Sequence, residues 1–235
     1  RIFVRFPGER LEYEAELAGS DPLTDLALLR IDPDGRDLPS LGFGSSEDLV
    51  VGDWVVAIGN PFGNLEGSMT VGILSATGRG DLSIQGLTPR YQDFLQTDAS
   101  INFGNSGGPL VDLAGRVVGV NTAVNTAGQG IGFAVPSRMA RHLHAQLAEH
   151  GRVIRGWLGA AVTARDGVVL VDRIVEGSPA AAAGLEVGDR LLALAGEPVT
   201  DQRQLLFLVA ESPVGETVAC EFERGGQRRT IDVTL

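Results

Sequence analysis

Through residues 1–135 the apolar positions come in short runs or in alternation, and nowhere do they repeat at helical spacing. A chain patterned this way buries its apolar side as strands. Ile2–Phe6 and Leu11–Leu17 read as strands joined by the turn Pro7-Gly8. Leu26–Ile31, Val50–Ile58, Thr70–Thr77, Leu110–Thr122 and Gly130–Val135 continue the series. Strands at such close spacing, with no helix between them, predict a mainly β domain built as a barrel or sandwich. The 32 glycines suit many tight turns.

The pattern changes at Pro136. Ser137 reads as a helix N-cap, Met139, Leu143 and Leu147 fall on one helical face, and Gly151 stops the helix. The short polar stretch 151–154 predicts a linker. Residues 155–235 read as a small α+β unit. Val168–Val171 and Leu191–Leu194 are its strands, Ser178-Pro179 opens a short helix stopped by Gly184, Gln202–Ala210 is an amphipathic helix, and Val218–Phe222 and Thr230–Leu235 close it. The expected division is a first domain over 1–150 and a second over 155–235.

Composition narrows the function. A formal charge of −11 argues against a protein that tracks nucleic-acid phosphates. Cys220 is the only cysteine, so an internal disulfide and a cysteine-based metal site are excluded; it alternates with Val218 and Phe222, as a buried strand residue does. No metal and no cofactor is expected. No apolar run reaches the roughly 18–20 residues that a membrane span needs. The chain opens on Arg1 within a strand-like pattern, and its true N-terminus is expected upstream.

Gly104-Asn105-Ser106-Gly107-Gly108-Pro109 carries the strongest chemical signal. A nucleophilic serine needs an exposed hydroxyl beside backbone N–H groups that face a developing oxyanion. Flanking glycines permit the tight turn that aims them, here the N–H groups of Gly104 and Ser106. The competing reading is a glycine-rich hairpin turn. The string resembles the active-serine motif of chymotrypsin-like peptidases, with Asn105 closest to the HtrA (Deg) branch. Asp21-Pro22-Leu23-Thr24-Asp25-Leu26-Ala27-Leu28-Leu29 resembles the aspartate motif of the same family, with Asp25 the match and Asp21 a turn residue. Ala57–Gly63, Val71–Ala76, Gln96–Ala99 and Gly130–Pro136 resemble its protease core.

The resemblance implies a chymotrypsin-like double β-barrel, its first barrel incomplete in this chain, and Ser-His-Asp acyl transfer in which a buried Asp25 holds a histidine for Ser106. It places an S1 pocket at Ser100, Ile131, Gly132 and Phe133, uncharged and suited to aliphatic side chains. Asp98 belongs to the strand entering the loop and points away. The stretch 78–91 resembles the family's sensor loop. The pattern breaks at the base: His142, His144 and His150 all follow Ser106 on the predicted helix, where the family's histidine precedes Asp25. Two accounts stay open, a histidine upstream of Arg1 or a catalytically silent pseudoprotease that acts as a peptide-binding or chaperone-like module.

Arg155-Gly156-Trp157-Leu158-Gly159-Ala160 with Ser178-Pro179-Ala180, Ala183-Gly184-Leu185 and Gly188-Asp189 resembles a bacterial PDZ domain. By that match Gly156, Trp157, Leu158 and Gly159 form a carboxylate-binding loop, and Leu206 and Val209 line the facing helix, ordinary core being the alternative for each apolar residue. The family implies unfolded proteins and peptide C-termini as partners, a homo-oligomer (a trimer), no nucleic acid, and an extracytoplasmic place of work.

Overall fold

The computed structural model describes residues 1–6, 8–80, 82, 89–124 and 130–235. The stretch 78–91 expected to be a sensor loop lies in large part outside them. The chain divides into Arg1–Val153 and Ile154–Leu235, each with its own contacts.

In the first unit, strands β1 (Ile2–Arg5), β2 (Glu12–Asp21) and β3 (Leu26–Ile31) form an open antiparallel sheet in the order β1-β2-β3. Tyr13 and Ala15 are buried, while the cross-strand pair Leu17 and Leu29 stays exposed. Strands β4 (Trp54–Gly59), β5 (Ser68–Arg79), β6 (Phe94–Thr97), β7 (Pro109–Asp112), β8 (Val117–Val124) and β9 (Gly132–Pro136) close into a barrel in the order β4-β5-β6-β9-β8-β7. Alternation turns Val55, Ala57, Leu74, Leu95, Leu110, Val118 and Ala134 inward to make its core. Where the sequence read one run over Leu110–Thr122, the structure has a hairpin. Asp112 Oδ1 accepts the Ala114 and Arg116 N–H groups (3.0 and 2.9 Å), and Gly115 supplies a φ of 76°. Helix α1 (Ser137–His150) follows, burying Met139, Ala140, Leu143 and Leu147.

The second unit is a sheet in the order β10-β11-β12-β14-β15 with β13 paired to β12. Its strands are β10 (Ala160–Arg165), β11 (Val168–Ile174), β12 (Arg190–Leu194), β13 (Glu197–Pro198), β14 (Thr217–Arg224) and β15 (Gln227–Thr234). Helices α2 (Pro179–Ala183) and α3 (Gln202–Glu211) accompany it. Leu158, Val169, Val171, Leu191, Leu194, Leu205, Val209, Phe222 and Val233 share its core, with Cys220 among them. Among the described residues, strand β10 is an edge, paired only with β11.

Candidate active site

The serine loop lies between β6 and β7, and its neighbours fix its peptide planes. The Phe62 N–H donates to the Phe103 carbonyl (2.7 Å) and the Asn60 N–H to the Gly104 carbonyl (3.2 Å). Both donors come from the turn that follows β4, where Phe62 holds a left-handed φ of 59°. Within the loop the Gly108 N–H donates to the Asn105 carbonyl (2.9 Å), and from β8 Asn121 accepts the Gly107 N–H (2.7 Å). A trans peptide points its C=O and N–H to opposite sides. With the Phe103 and Asn105 carbonyls tied down, the N–H groups of Gly104 and Ser106 face the other way, and neither has an internal partner among the described residues. Gly104 has a φ of 101° and the Asn60 carbonyl stands where a Cβ would go, so no other residue fits.

Ser106 is exposed, and its hydroxyl donates to the Thr122 carbonyl at 2.9 Å. Thr122 is buried, and its own hydroxyl donates to the Asp25 carboxylate. One residue of β8 therefore holds the serine through its main chain and the aspartate through its side chain. Asp25 ends the turn before β3 with a φ of 62°, a conformation Asp tolerates better than most residues. Asp21 is buried, and its carboxylate accepts the Thr24 hydroxyl at 2.6 Å, which shapes the turn that presents Asp25. Asp25 itself is exposed, where the resemblance implied a buried carboxylate. Sequence reasoning passed over Thr122; a threonine at a strand end carries no signal until the chain brings it against Asp25.

His142, His144 and His150 are exposed on α1. His142 meets Gln146 at 3.3 Å and His150 faces Glu149 at 4.0 Å; none bonds to Ser106 or Asp25. Asn105 is buried, with its Nδ2 3.4 Å from the Ser100 carbonyl.

The residues expected in one S1 pocket separate. Gly132 and Ala134 share a face of β9, and a Cβ on Gly132 would lie 2.8 Å from Ile101 Cδ1. Phe133 turns to the opposite face, its ring 6.3 Å from that of Phe94. Phe133 is thus no wall of a pocket formed with Gly132, and Ile101, which the sequence reading did not single out, is the side chain that fills the space beside that glycine. Ile131 is half-buried, and Ser100 is exposed with its carbonyl on the Thr70 hydroxyl (2.8 Å). The Asp98 carboxylate accepts the Ile73 N–H at 2.7 Å, engaged by β5.

In the second unit the Leu158 carbonyl accepts the Ala180 N–H (2.9 Å) and the Gly159 carbonyl the Val175 N–H (2.8 Å). The same planarity turns the N–H groups of Gly159 and Ala160 away from α2 and β11. Leu158 is buried in the core, Trp157 is exposed, and Gly156 is buried against the carbonyl of Val209. Leu206 is half-buried on α3. Val209, expected to line a groove, is a core residue: it faces inward with Leu205.

Comparison with known proteins agrees with this architecture. Residues 3–120 match the model of the trypsin-like peptidase domain, and residues 156–235 that of the PDZ domain. A probable periplasmic serine endoprotease, DegP-like, of Pseudomonas putida (strain W619) is 41% identical over 249 aligned residues, covering 100% of this chain and 50% of the relative. One of the same description from Chlamydia trachomatis serovar D is 41% identical over 239, covering 95% and 47%. The chain thus spans about half the length of the curated relatives it matches. Among solved structures, the HtrA-type protease AlgW with decapeptide superposes with a TM-score of 0.81 at 41% identity, covering 99% of this chain and 74% of that one. The serine endoprotease from Yersinia pestis gives 0.72 at 40%, covering 99% and 78%. A closed β-barrel that carries Ser106 on a braced loop, joined in sequence to a PDZ domain, makes this chain a member of the HtrA-type family of trypsin-like serine proteases.

Proposed function

We propose that residues 1–235 are the nucleophile-bearing and peptide-binding parts of a serine endopeptidase that cleaves unfolded or damaged proteins outside the cytoplasm. Ser106 is the nucleophile and Asp25 orients the base. The N–H groups of Gly104 and Ser106 stabilise the oxyanion. The bridge through Thr122 carries this reading, because it ties the Ser106 hydroxyl and the Asp25 carboxylate to one residue of β8. The base is a histidine outside residues 1–235. Without it, turnover falls by about 10⁶, the loss seen when a triad histidine is removed elsewhere. Expression together with the native upstream coding sequence tests the proposal: the product should degrade unfolded casein, label with a fluorophosphonate at Ser106, and lose both with Ser106→Ala. Turnover that survives Ser106→Ala removes this serine from the mechanism.

The specificity reading rests on charge and space. The loop Ser100–Gly104 and strand β9 hold no acid, and Asp98 is engaged elsewhere. A basic P1 side chain would be buried without a partner, which costs several kcal/mol. An aliphatic one gains roughly 1.5–3 kcal/mol on burial. Cut sites mapped by mass spectrometry should fall after Val, Ala, Ile or Leu; predominant cleavage after Arg would contradict this.

The second unit captures peptide C-termini. The outward N–H groups of Gly159 and Ala160 hold the carboxylate, and the free edge of β10 pairs with the peptide as an added strand. A second reading, a non-catalytic peptide-binding module, is favoured by the exposure of all three histidines on α1. It predicts peptide binding with no fluorophosphonate labelling even with the upstream sequence present.

A further inference from the structure

Gly159 is the pivot of the proposed carboxylate loop, and its surroundings single out a residue that no peptide atom would touch. Its φ is 73°. A Cβ added there would overlap the Cβ of Ser178, lie 2.8 Å from Ser178 Oγ and stand 3.1 Å from Trp157 Cζ2. The room that a side chain would need is therefore filled by the hydroxymethyl of Ser178 and the edge of the indole. Ser178 is wholly buried and held from every polar atom. Its N–H donates to the Val175 carbonyl (3.1 Å), its Oγ accepts the Ala181 N–H (3.2 Å) as the cap of α2, and its carbonyl accepts the Ala182 N–H (2.9 Å). The elements that fix Ser178 also fix the loop, since Val175 and Ala180 donate to the Gly159 and Leu158 carbonyls.

We propose that Ser178 is the positioning residue of the carboxylate site: its Cβ seats Gly159 and so holds in place the two peptide planes that present the N–H groups of Gly159 and Ala160. The proposal rests on the peptide-capture reading above and adds what holds the anion site rigid. A flexible loop pays an ordering cost on each binding event, whereas a seated one does not. Only ligands that use the two N–H groups feel the difference, so the effect belongs to the terminal carboxylate and not to the rest of the peptide.

Ser178→Gly and Ser178→Ala separate the parts played by Ser178. Glycine removes the Cβ while remaining a serviceable N-cap, whereas alanine keeps the Cβ and loses the cap. The probe is the tightest binder among decapeptides ending in Val, Leu, Ile, Ala or Phe, measured by fluorescence anisotropy on the 235-residue chain as the free acid and as the C-terminal amide, with thermal melts of the same samples. The unsubstituted chain should prefer the acid. Ser178→Gly should lower acid affinity by about tenfold, the scale of one charge-assisted hydrogen bond, and leave the amide unchanged. Ser178→Ala should lower the melting temperature and keep the acid preference. Loss of that preference in both variants, or in neither, overturns the proposal. If Ser178→Gly fails to fold, Gly159→Ala meets the same contact from the other side, and an acid preference that survives it overturns the proposal equally. An unsubstituted chain that binds acid and amide alike, or binds none of the peptides, defeats the peptide-capture reading itself.

Discussion

Residue by residue, the chain's chemistry depends on what each reactive group is packed against. Cys220 is buried among Val218, Phe222 and Leu194, and burial first, then the charges of Asp189 and Glu221, push its thiol up to about 11. It should stay protonated at neutral pH and resist a disulfide-exchange reagent until the chain unfolds; prompt labelling of the folded chain would contradict this. Gly104 is the opposite case, a residue whose value is the absence of a side chain. With φ at 101° and the Asn60 carbonyl against it, Gly104→Ala must displace the peptide that presents its N–H. In the protein that carries its upstream sequence, kcat should fall by about 10²–10³, the loss typical of one oxyanion donor, with KM little changed. Unaltered kcat would mean that this N–H does not meet the oxyanion.

At the scale of the element, helix α1 shows how a local signal can be reassigned by a distant one. Ser137 reads as an N-cap, but in the structure Pro136 takes that position and Ser137 begins the helix. The Ser137 hydroxyl donates to the Gly44 carbonyl (2.9 Å) and accepts the Ser46 N–H (3.1 Å). Ser46 Oγ in turn accepts the Arg138 N–H at 3.1 Å, so the cap comes from the segment before β4. Ser46→Ala should destabilise the first unit by about 1 kcal/mol, the usual worth of a cap, and leave peptide binding by the second unit unchanged. Chemical denaturation followed by Trp54, which lies in the first unit, would measure it. A null effect would show that the reciprocal serine pair contributes nothing.

The whole molecule has separate cores in its two units, so calorimetry should resolve separate transitions. Asp189 assigns them. It is buried, and burial alone would raise its pKa, but the Arg224 guanidinium (2.7 Å to each carboxylate oxygen) and the Glu186 N–H (2.8 Å) outweigh that and hold it below the ordinary value. Because the folded state favours the ionised form, this stability is fully present above the unfolded value of about 3.9 and is lost as the pH falls below it. The transition of residues 154–235 should drop in acid below about pH 4. Asp189→Asn should remove about 1.5–3 kcal/mol at neutral pH, by loss of hydrogen bonds to a charged group, and flatten the acid dependence. If instead the transition of the first unit moves with Asp189→Asn, the assignment fails.

Much of this was legible in the sequence because it rests on local rules. Alternation marked most of the barrel strands, Ser178 and Gly184 bounded α2 as expected, and Gly104–Pro109 and Asp25 stood out by motif. The sequence also showed that no histidine precedes Asp25 in this chain. Tertiary structure decided what spacing cannot encode. Thr122 meets both Ser106 and Asp25 only because β8 runs between the loop and the turn that carry them. Ile101, not Phe133, lies beside Gly132, because the pleat of β9 sends neighbouring side chains to opposite faces. Ser178 meets Gly159 across 19 positions of sequence. The reason is the same in each case: propensity and turn chemistry act over a few residues, whereas packing joins side chains that the chain brings together only once it has folded.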